Sequence, residues 1–493
     1  MDGSLLVSSR ITSVARLLAA SCLLLGLFPI FASGGVLELT VLDAQSGKPL
    51  PARVTLTGPR GRHPKAGVSR YQDHFLTYGF REKLNLAAGV YQYIISSGPE
   101  YYEQSGTFTM ARDATDNQTV ELKRFVDMKE HGWWAGDPWF TRKVDPHGIQ
   151  ALAEDLHLLG ITNPEQVTKL ADLNKDEKDG LGGPIMAGVT PESATFGVRT
   201  FGVHGEEQHV QLTNISDWML PVHIAKRTGD SVIIHQPPVQ SKSTREKLRA
   251  RNETRFPDAI GEGRHHEFIY HQLLNAGIRI APVAASGSGT NKLPPGTWRT
   301  YVHTDGDPDV EVDAKSWWNG LKSGAVIITN GPLLLPKVNR QLPGHTFETT
   351  ESAPLELEST LTLHTREKVD YLQFIKNGSS VAEIRLDKWA KEGKTQLPKI
   401  TFRESGWLQI RTVTRTDGAY KYAATAPWFV NVDETPRISR KAAKYFLDWV
   451  YDLARRIKKE NTKSPGYHPP EVIRDLRKAR DFWKARVESA NAE

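Results

Sequence analysis

Between residues 36 and 125 apolar and polar positions alternate in short runs separated by turn residues. Leu37-Glu38-Leu39-Thr40-Val41 is followed by Ser46-Gly47-Lys48-Pro49 and then by Ala52 to Leu56. Leu84 to Ile95, broken at Ala88-Gly89, and Thr119 to Leu122 repeat the signal, so the period of two predicts a β-sandwich over 36–125. Over 131–335 the period changes along the chain. Ile149 to Leu159 and Glu267 to Ala276 have helical spacing, whereas Ser231 to Ile234 is a short apolar strand, and alternation of this kind predicts an α/β domain. Strand texture returns over 336–435, as in Leu355-Glu356-Leu357, Val369 to Ile375 and Trp407 to Thr412, and predicts a second β domain. Over 437–493 two helical stripes appear, one through Ala442, Tyr445, Phe446, Trp449, Leu453 and Ile457, the other through Val472, Leu476, Ala479, Trp483 and Val487. This helical tail is expected to pack its aromatic stripes on the body of the protein.

The first 34 residues change the picture. Arg10 and Arg16 precede an apolar run from Leu17 to Phe31, and Ala32-Ser33-Gly34 supplies small residues, which together read as a secretory signal peptide. Gly26 and Pro29 interrupt the run and it is too short for a membrane span, so a protein exported to the periplasm or the extracellular space is expected, with no membrane span. The single cysteine, Cys22, lies inside this run, so cleavage leaves neither disulfides nor thiolate chemistry, and any metal must use histidine and carboxylate ligands. At 493 residues the chain is too long for one core. The net charge of +6 is small, and the basic excess around Arg455-Arg456 and Lys458-Lys459 sits at helical spacing. A solvated helix face is expected there, not a nucleic-acid surface.

Of the 16 histidines, eleven fall between His131 and His303, which directs the search for proton or metal chemistry to the α/β domain. His265, His266, Glu267 and His271 lie on a predicted helix, where Glu267 and His271 can pair at i,i+4 without any catalytic role.

Two resemblances follow. The stretch Asp43 to Leu56 resembles carboxypeptidase-regulatory-like domains, which stabilise or attach. The segment Gly132-Trp133-Trp134-Ala135-Gly136-Asp137-Pro138-Trp139-Phe140-Thr141 keeps the frame Gly-Trp-aromatic-x-Gly-Asp-Leu-His-x-His with both histidines replaced. Trp298 to His303, Trp317 to Leu321 and Ile327 to Leu333 complete an order of segments that resembles the polymerase-and-histidinol-phosphatase (PHP) superfamily, more narrowly its exported CehA/McbA-like metallohydrolase branch. That resemblance implies a PHP-like distorted α/β barrel over 131–335. Ala153 to Thr162 resembles the segment that in such domains ends Thr-Asp-His, and Ala285 to Asn291 resembles Gly-Ser-Asp-x-His, yet neither keeps its ligands.

What survives is partial. His204 to Asn214 resembles the Gly-x-Glu segment with its downstream histidine, and Gly229 to Pro237 resembles the strand that ends Ala-His-Pro. Carried over, Glu207, His209 and His235 would hold a single divalent transition metal, Zn, Mn or Fe, with Glu206 or Asp137 as base. One function reading is therefore a single-metal hydrolase of an ester or phosphoester. The other is a relative with a degenerate metal site that binds a small-molecule or glycan ligand in the inherited cleft without the family's catalysis. Trp139 and Phe140 would line that cleft or fill it.

Overall fold

The structure, a computed structural model, describes residues 34–64, 69–70, 73–140, 148–161, 185–191, 198–203, 206–215, 218–227, 231–234, 264–286, 294–307, 310, 312–366, 368–391, 396–416, 419–463 and 470–493. All but Gly34 of the expected signal segment lies outside them. The chain is mostly β-sheet with a helical C-terminal region.

The alternating N-terminal runs become β1 (Gly34–Asp43), β2 (Ala52–Thr57), β3 (Ser69–Arg70), β4 (Phe75–Thr77), β5 (Glu82–Ala87), β6 (Gly89–Ser96), β7 (Gln104–Met110) and β8 (Thr115–Leu122). They form two sheets, β5-β1-β8 and β3-β4-β2-β6-β7. Leu37, Leu39, Val41, Leu84 and Leu86 from one sheet and Val54, Leu56, Tyr91 and Ile95 from the other share a core. This is the two-faced arrangement the period of two requires, because Lys83 and Asn85 are exposed between buried leucines.

The central region supplies β9 (Trp133–Phe140), α1 (Ile149–Leu152), β10 (Leu158–Ile161), β11 (Ile185–Pro191), β12 (Val198–Val203), β13 (Glu206–Asn214), α2 (Leu220–Lys226), β14 (Ser231–Ile234), α3 (Arg264–Asn275), β15 (Ala281–Val283), β16 (Arg299–His303), α4 (Ala314–Ser323) and β17 (Val326–Thr329). The helix expected from Ile149 to Leu159 is a single turn. Asp155 adopts φ 54°, which ends helical winding, and the leucines that completed the apparent helical stripe, Leu158 and Leu159, belong to β10.

Strands β9, β10 and β11 are mutually parallel, and so are β13, β14 and β15, with β12 antiparallel between the two sets. On the other side β9 pairs antiparallel with β16. The row curls until its far edge meets β16. There Thr300 Oγ1 accepts from Ala284 N at 2.9 Å and lies 2.8 Å from Ala284 O, to which it donates. One face of these strands converges on a single core holding Trp134, Trp139, Leu158, Val283, Trp298 and Val302, onto which α4 lays Trp317, Trp318 and Leu321. The opposite face divides between two clusters, so the shared core is the inner one.

The region beyond continues the same sheet. It comprises β18 (Leu333–Val338), β19 (Thr346–Thr349), β20 (Leu355–Leu357), β21 (Ser359–His364), β22 (Tyr371–Lys376), β23 (Ser379–Arg385), α5 (Leu386–Lys391), β24 (Ile400–Phe402), β25 (Gly406–Thr416), β26 (Ala419–Thr425) and β27 (Trp428–Val432). Because β17 pairs with β26, the order runs on through β25, β22 and β23, and residues 131–335 and 336–435 share a sheet.

The tail forms α6 (Arg440–Lys463) and α7 (Pro470–Glu488), with the predicted stripe residues buried except Tyr445 and Val487, which are partly buried. They pack on α2 and α3, where Trp449 Nε1 donates to Trp218 O at 3.0 Å and Trp483 Nε1 to Pro221 O at 2.9 Å. Among the described residues no helix is long and apolar enough to cross a membrane.

The N-terminal sandwich meets the central sheet through a buried polar cluster. Arg124 donates to Glu100 Oε2 at 2.7 Å and pairs with Asp155 at 3.0 Å, while Tyr301 OH donates to Glu100 Oε1 at 2.9 Å. Burial, reinforced by the Asp155 charge, pushes the Glu100 carboxyl up to about 7. Arg53 pairs with the Glu154 carboxylate at 3.1 Å, and Arg299 donates to the Glu154 backbone oxygen at 2.9 Å.

Candidate functional site

The site expected from the sequence begins at the carboxyl end of β9. Asp137 is fully buried there. Its Oδ1 accepts from Ser286 N at 3.1 Å and its Oδ2 from Gly296 N at 2.8 Å, with a longer contact of 3.4 Å from Trp139 N. Burial drives its pKa up to about 6, against the pull of those hydrogen bonds, because the carboxylate has lost water. A base must meet water or substrate, whereas Asp137 is closed off from solvent and both its oxygens accept backbone N–H groups. Its work is to tie β9 to the segments that follow β15 and precede β16. Gly296 suits that contact, since its φ of 69° is strained for other residues and a Cβ there would meet Arg299 Nη2 at 2.8 Å.

Trp139 occupies a position where the resembling family has histidine. Only 9% of it is exposed, and it packs in the inner core with Trp298 and Ala284. It fills the space near Asp137. Phe140 is level with Ile161 of β10, but its side chain lies outside the described residues.

Of the three expected metal ligands, Glu207 and His209 lie on β13. Glu206, Glu207 and His209 sit at the amino end of β13, directly after the turn from β12, where Glu206 is paired with Val203. His235 lies outside the described residues, but Ile234 before it ends β14 and is level with Asn214, the last residue of β13. His209 is five residues and Glu207 seven residues short of that level. At roughly 3.3 Å per residue these offsets are about 17 and 23 Å along parallel strands. Ligands bind Zn at about 2 Å, and a histidine side chain extends only a few ångströms from its backbone. Along the ladder, Glu207 and His209 therefore lie well short of the end of β14. The i,i+2 spacing puts Glu207 and His209 on one face but says nothing about their height relative to β14. Among the described residues no group of three histidine, aspartate or glutamate side chains is placed to hold an ion.

The histidines on α3 are structural where they are described. Glu267 pairs with Arg411 and accepts from Tyr422 OH at 3.2 Å, and His271 Nε2 lies 3.0 Å from Gln409 Oε1. The expected Glu267–His271 pairing gives way to bonds from each to β25 and β26, which dock α3 on the sheet. Burial holds the His271 pKa below the ordinary histidine value, against the attraction of Glu267. The side chains of His265 and His266 lie outside the described residues.

Sequence reasoning missed Ser286 and Gly296 as partners of Asp137. Ser286 belongs to the Ala285 to Asn291 segment already compared with a ligand-bearing motif, so the signal was the adjacency of two altered motifs.

No known family matches the chain, and no curated relative does either. A solved structure, the crystal structure of the N-terminal four Ig domains of Dscam1 isoform 8.4, aligns over 81% of this chain and 99% of that chain at 10% identity with a TM-score of 0.14. A likeness that low carries no argument about fold or function.

Proposed function

We propose that this protein is an exported, PHP-related binding protein, in which the hydrolytic centre of the metallohydrolase branch has been converted to packing. It takes a small-molecule or glycan ligand at the carboxyl ends of the parallel strands and does not turn it over. The observation that carries this reading is the treatment of the Gly136-Asp137-Pro138-Trp139 segment. Trp139 is buried in the inner core where the family places a metal ligand, and both oxygens of Asp137 accept backbone N–H groups.

The curled sheet with parallel strands on either side of β12 supports the PHP relation, as do the kept segments Trp298 to His303 and Ile327 to Leu333. Ligands of such sheets bind at the carboxyl ends of the strands, here the ends of β9, β14 and β15. The offset between β13 and the end of β14 weighs against the single-ion hydrolase built on Glu207, His209 and His235. Export to the periplasm or the extracellular space rests on the Arg10 to Gly34 pattern.

The test is turnover of bis(p-nitrophenyl) phosphate and p-nitrophenyl acetate with added zinc or manganese. The proposal expects no rate above buffer for the native protein, and none that distinguishes it from Glu207→Gln. Metal-dependent hydrolysis abolished in Glu207→Gln would refute it.

A further inference from the structure

At the amino end of β9, away from Asp137 and Trp139, two adjoining cavities of about 420 and 910 Å³ share His303, Lys337 and Leu342 and form one groove. Its two ends differ in chemistry. One is walled by Trp133, Leu335, Pro336 and Leu361, with His131, Thr360 and Thr362 at its polar edge. The other is lined by Ser316, Asn319 and Ser323 of α4 and by Arg340. His303 stands between them, with its ring against Trp133 at 5.3 Å and its Nδ1 3.8 Å from Asp305.

Lys337 and Arg340 are exposed at this groove, and among the described residues neither side chain has a hydrogen bond or ion pair. Other arginines of the body are spent on structure, Arg124 on Glu100, Arg299 on Glu154 and Arg411 on Glu267. Asp305 is the acid in the lining, and its carboxylate stands out in solvent. The end of α4 opposes an anion weakly, because Ser323 Oγ and the backbone N–H of Ala325 both donate to Gly320 O, at 2.8 and 3.2 Å.

The backbone adds a second, independent observation. Val338 and Gln341 exchange hydrogen bonds of 3.0 and 2.8 Å around a two-residue turn in which Asn339 has φ 44° and Arg340 φ 65°. Such turns favour Asn-Gly. Asn339 fits and anchors its side chain by accepting from Glu358 N at 2.8 Å. Arg340 sits in strained backbone where glycine would not, and strain of this kind concentrates where a side chain is needed for binding.

We propose that this groove is a second binding site, for a sulfate or phosphate ester on a partly apolar body. Lys337 and Arg340 receive the tetrahedral oxyanion, and the Trp133 to Leu361 end receives the body. The inference is independent of the function proposed above, since the groove lies at the other end of the strands and involves no metal.

The experiment is calorimetric titration of the full chain at low salt with p-nitrophenyl sulfate, p-nitrophenyl phosphate, inorganic sulfate and p-nitrobenzoate. At least one ester is expected to bind more tightly than inorganic sulfate or p-nitrobenzoate, and which one does distinguishes a sulfated from a phosphorylated source. Loss of a charge-assisted bond in Arg340→Gly or Lys337→Gln should weaken binding by about ten- to a hundredfold. Arg340→Gly should melt no lower than the native protein, because it relieves the turn. Arg477→Gln on the tail, which alters net charge alone, should bind as the native protein does. The proposal is overturned if neither ester binds at millimolar concentration or if both groove variants bind normally. It is likewise overturned if p-nitrobenzoate binds as tightly as the esters, or if Arg340→Gly melts lower.

Discussion

Replacing Asp137 by asparagine tests the claim that this carboxyl is a buried structural tie. Its pKa is raised from 3.8 to about 6 by burial, a shift of about 2 units. Each unit corresponds to about 1.4 kcal/mol, so ionising Asp137 in the folded protein costs about 3 kcal/mol more than in the unfolded chain. The sign follows from which state binds the proton more tightly. The folded state does, so this contribution to stability is fully present below about pH 4, falls between pH 4 and 6, and is gone above. Asparagine cannot ionise and lacks that slope. Urea unfolding read by the fluorescence of the inner-core tryptophans, at steps from pH 4 to 7, gives the stability of the native protein relative to Asp137→Asn. That difference should move by about 2 kcal/mol in favour of the asparagine variant between pH 4 and 7. A difference that stays constant, or moves the other way, refutes the buried-tie account and would mean that the carboxylate meets solvent or a cation.

Trp139→Ala should destabilise the protein by about 3 to 5 kcal/mol, the range for emptying a buried aromatic site, whereas a tryptophan at the rim of an open cleft would cost under about 1 kcal/mol; thermal melting separates the two. Arg124→Ala should cost about 3 to 5 kcal/mol, because it leaves Glu100 and Asp155 without their shared cation at the junction. Proteolysis of that variant should first release the N-terminal sandwich, and release of the helical tail in its place would contradict the role given to this cluster.

Amphipathic elements with long apolar runs were legible in the sequence. The stripes through Phe446, Trp449 and Leu453 and through Leu476, Ala479 and Trp483 place the same residues in the core that the period selects. The alternation at Leu84 and Leu86 likewise locates β5 and its buried face. Legibility failed where the outcome depends on distant parts of the chain. Ile149 to Leu159 has helical spacing, yet one left-handed residue, Asp155, sends its second half into the sheet. Asp137 looks like a free acid until Ser286 and Gly296 close on it. Glu207 and His209 were correctly read as sharing a strand, but their height against Ile234 is set by the pairing of β13 with β14, which local spacing does not encode. The merging of β17 with β26 is another long-range pairing of this kind.

The proposed conversion of a metal centre to packing can be decided by metal content. The mature protein should be equilibrated separately with zinc, manganese and ferrous iron, desalted, and analysed for bound metal beside Glu207→Gln and His235→Ala. The account predicts well under one equivalent of each metal in the native protein, with no difference between it and the variants. One equivalent of any of the three, retained by the native protein and lost in both variants, would contradict the account and restore the single-ion centre.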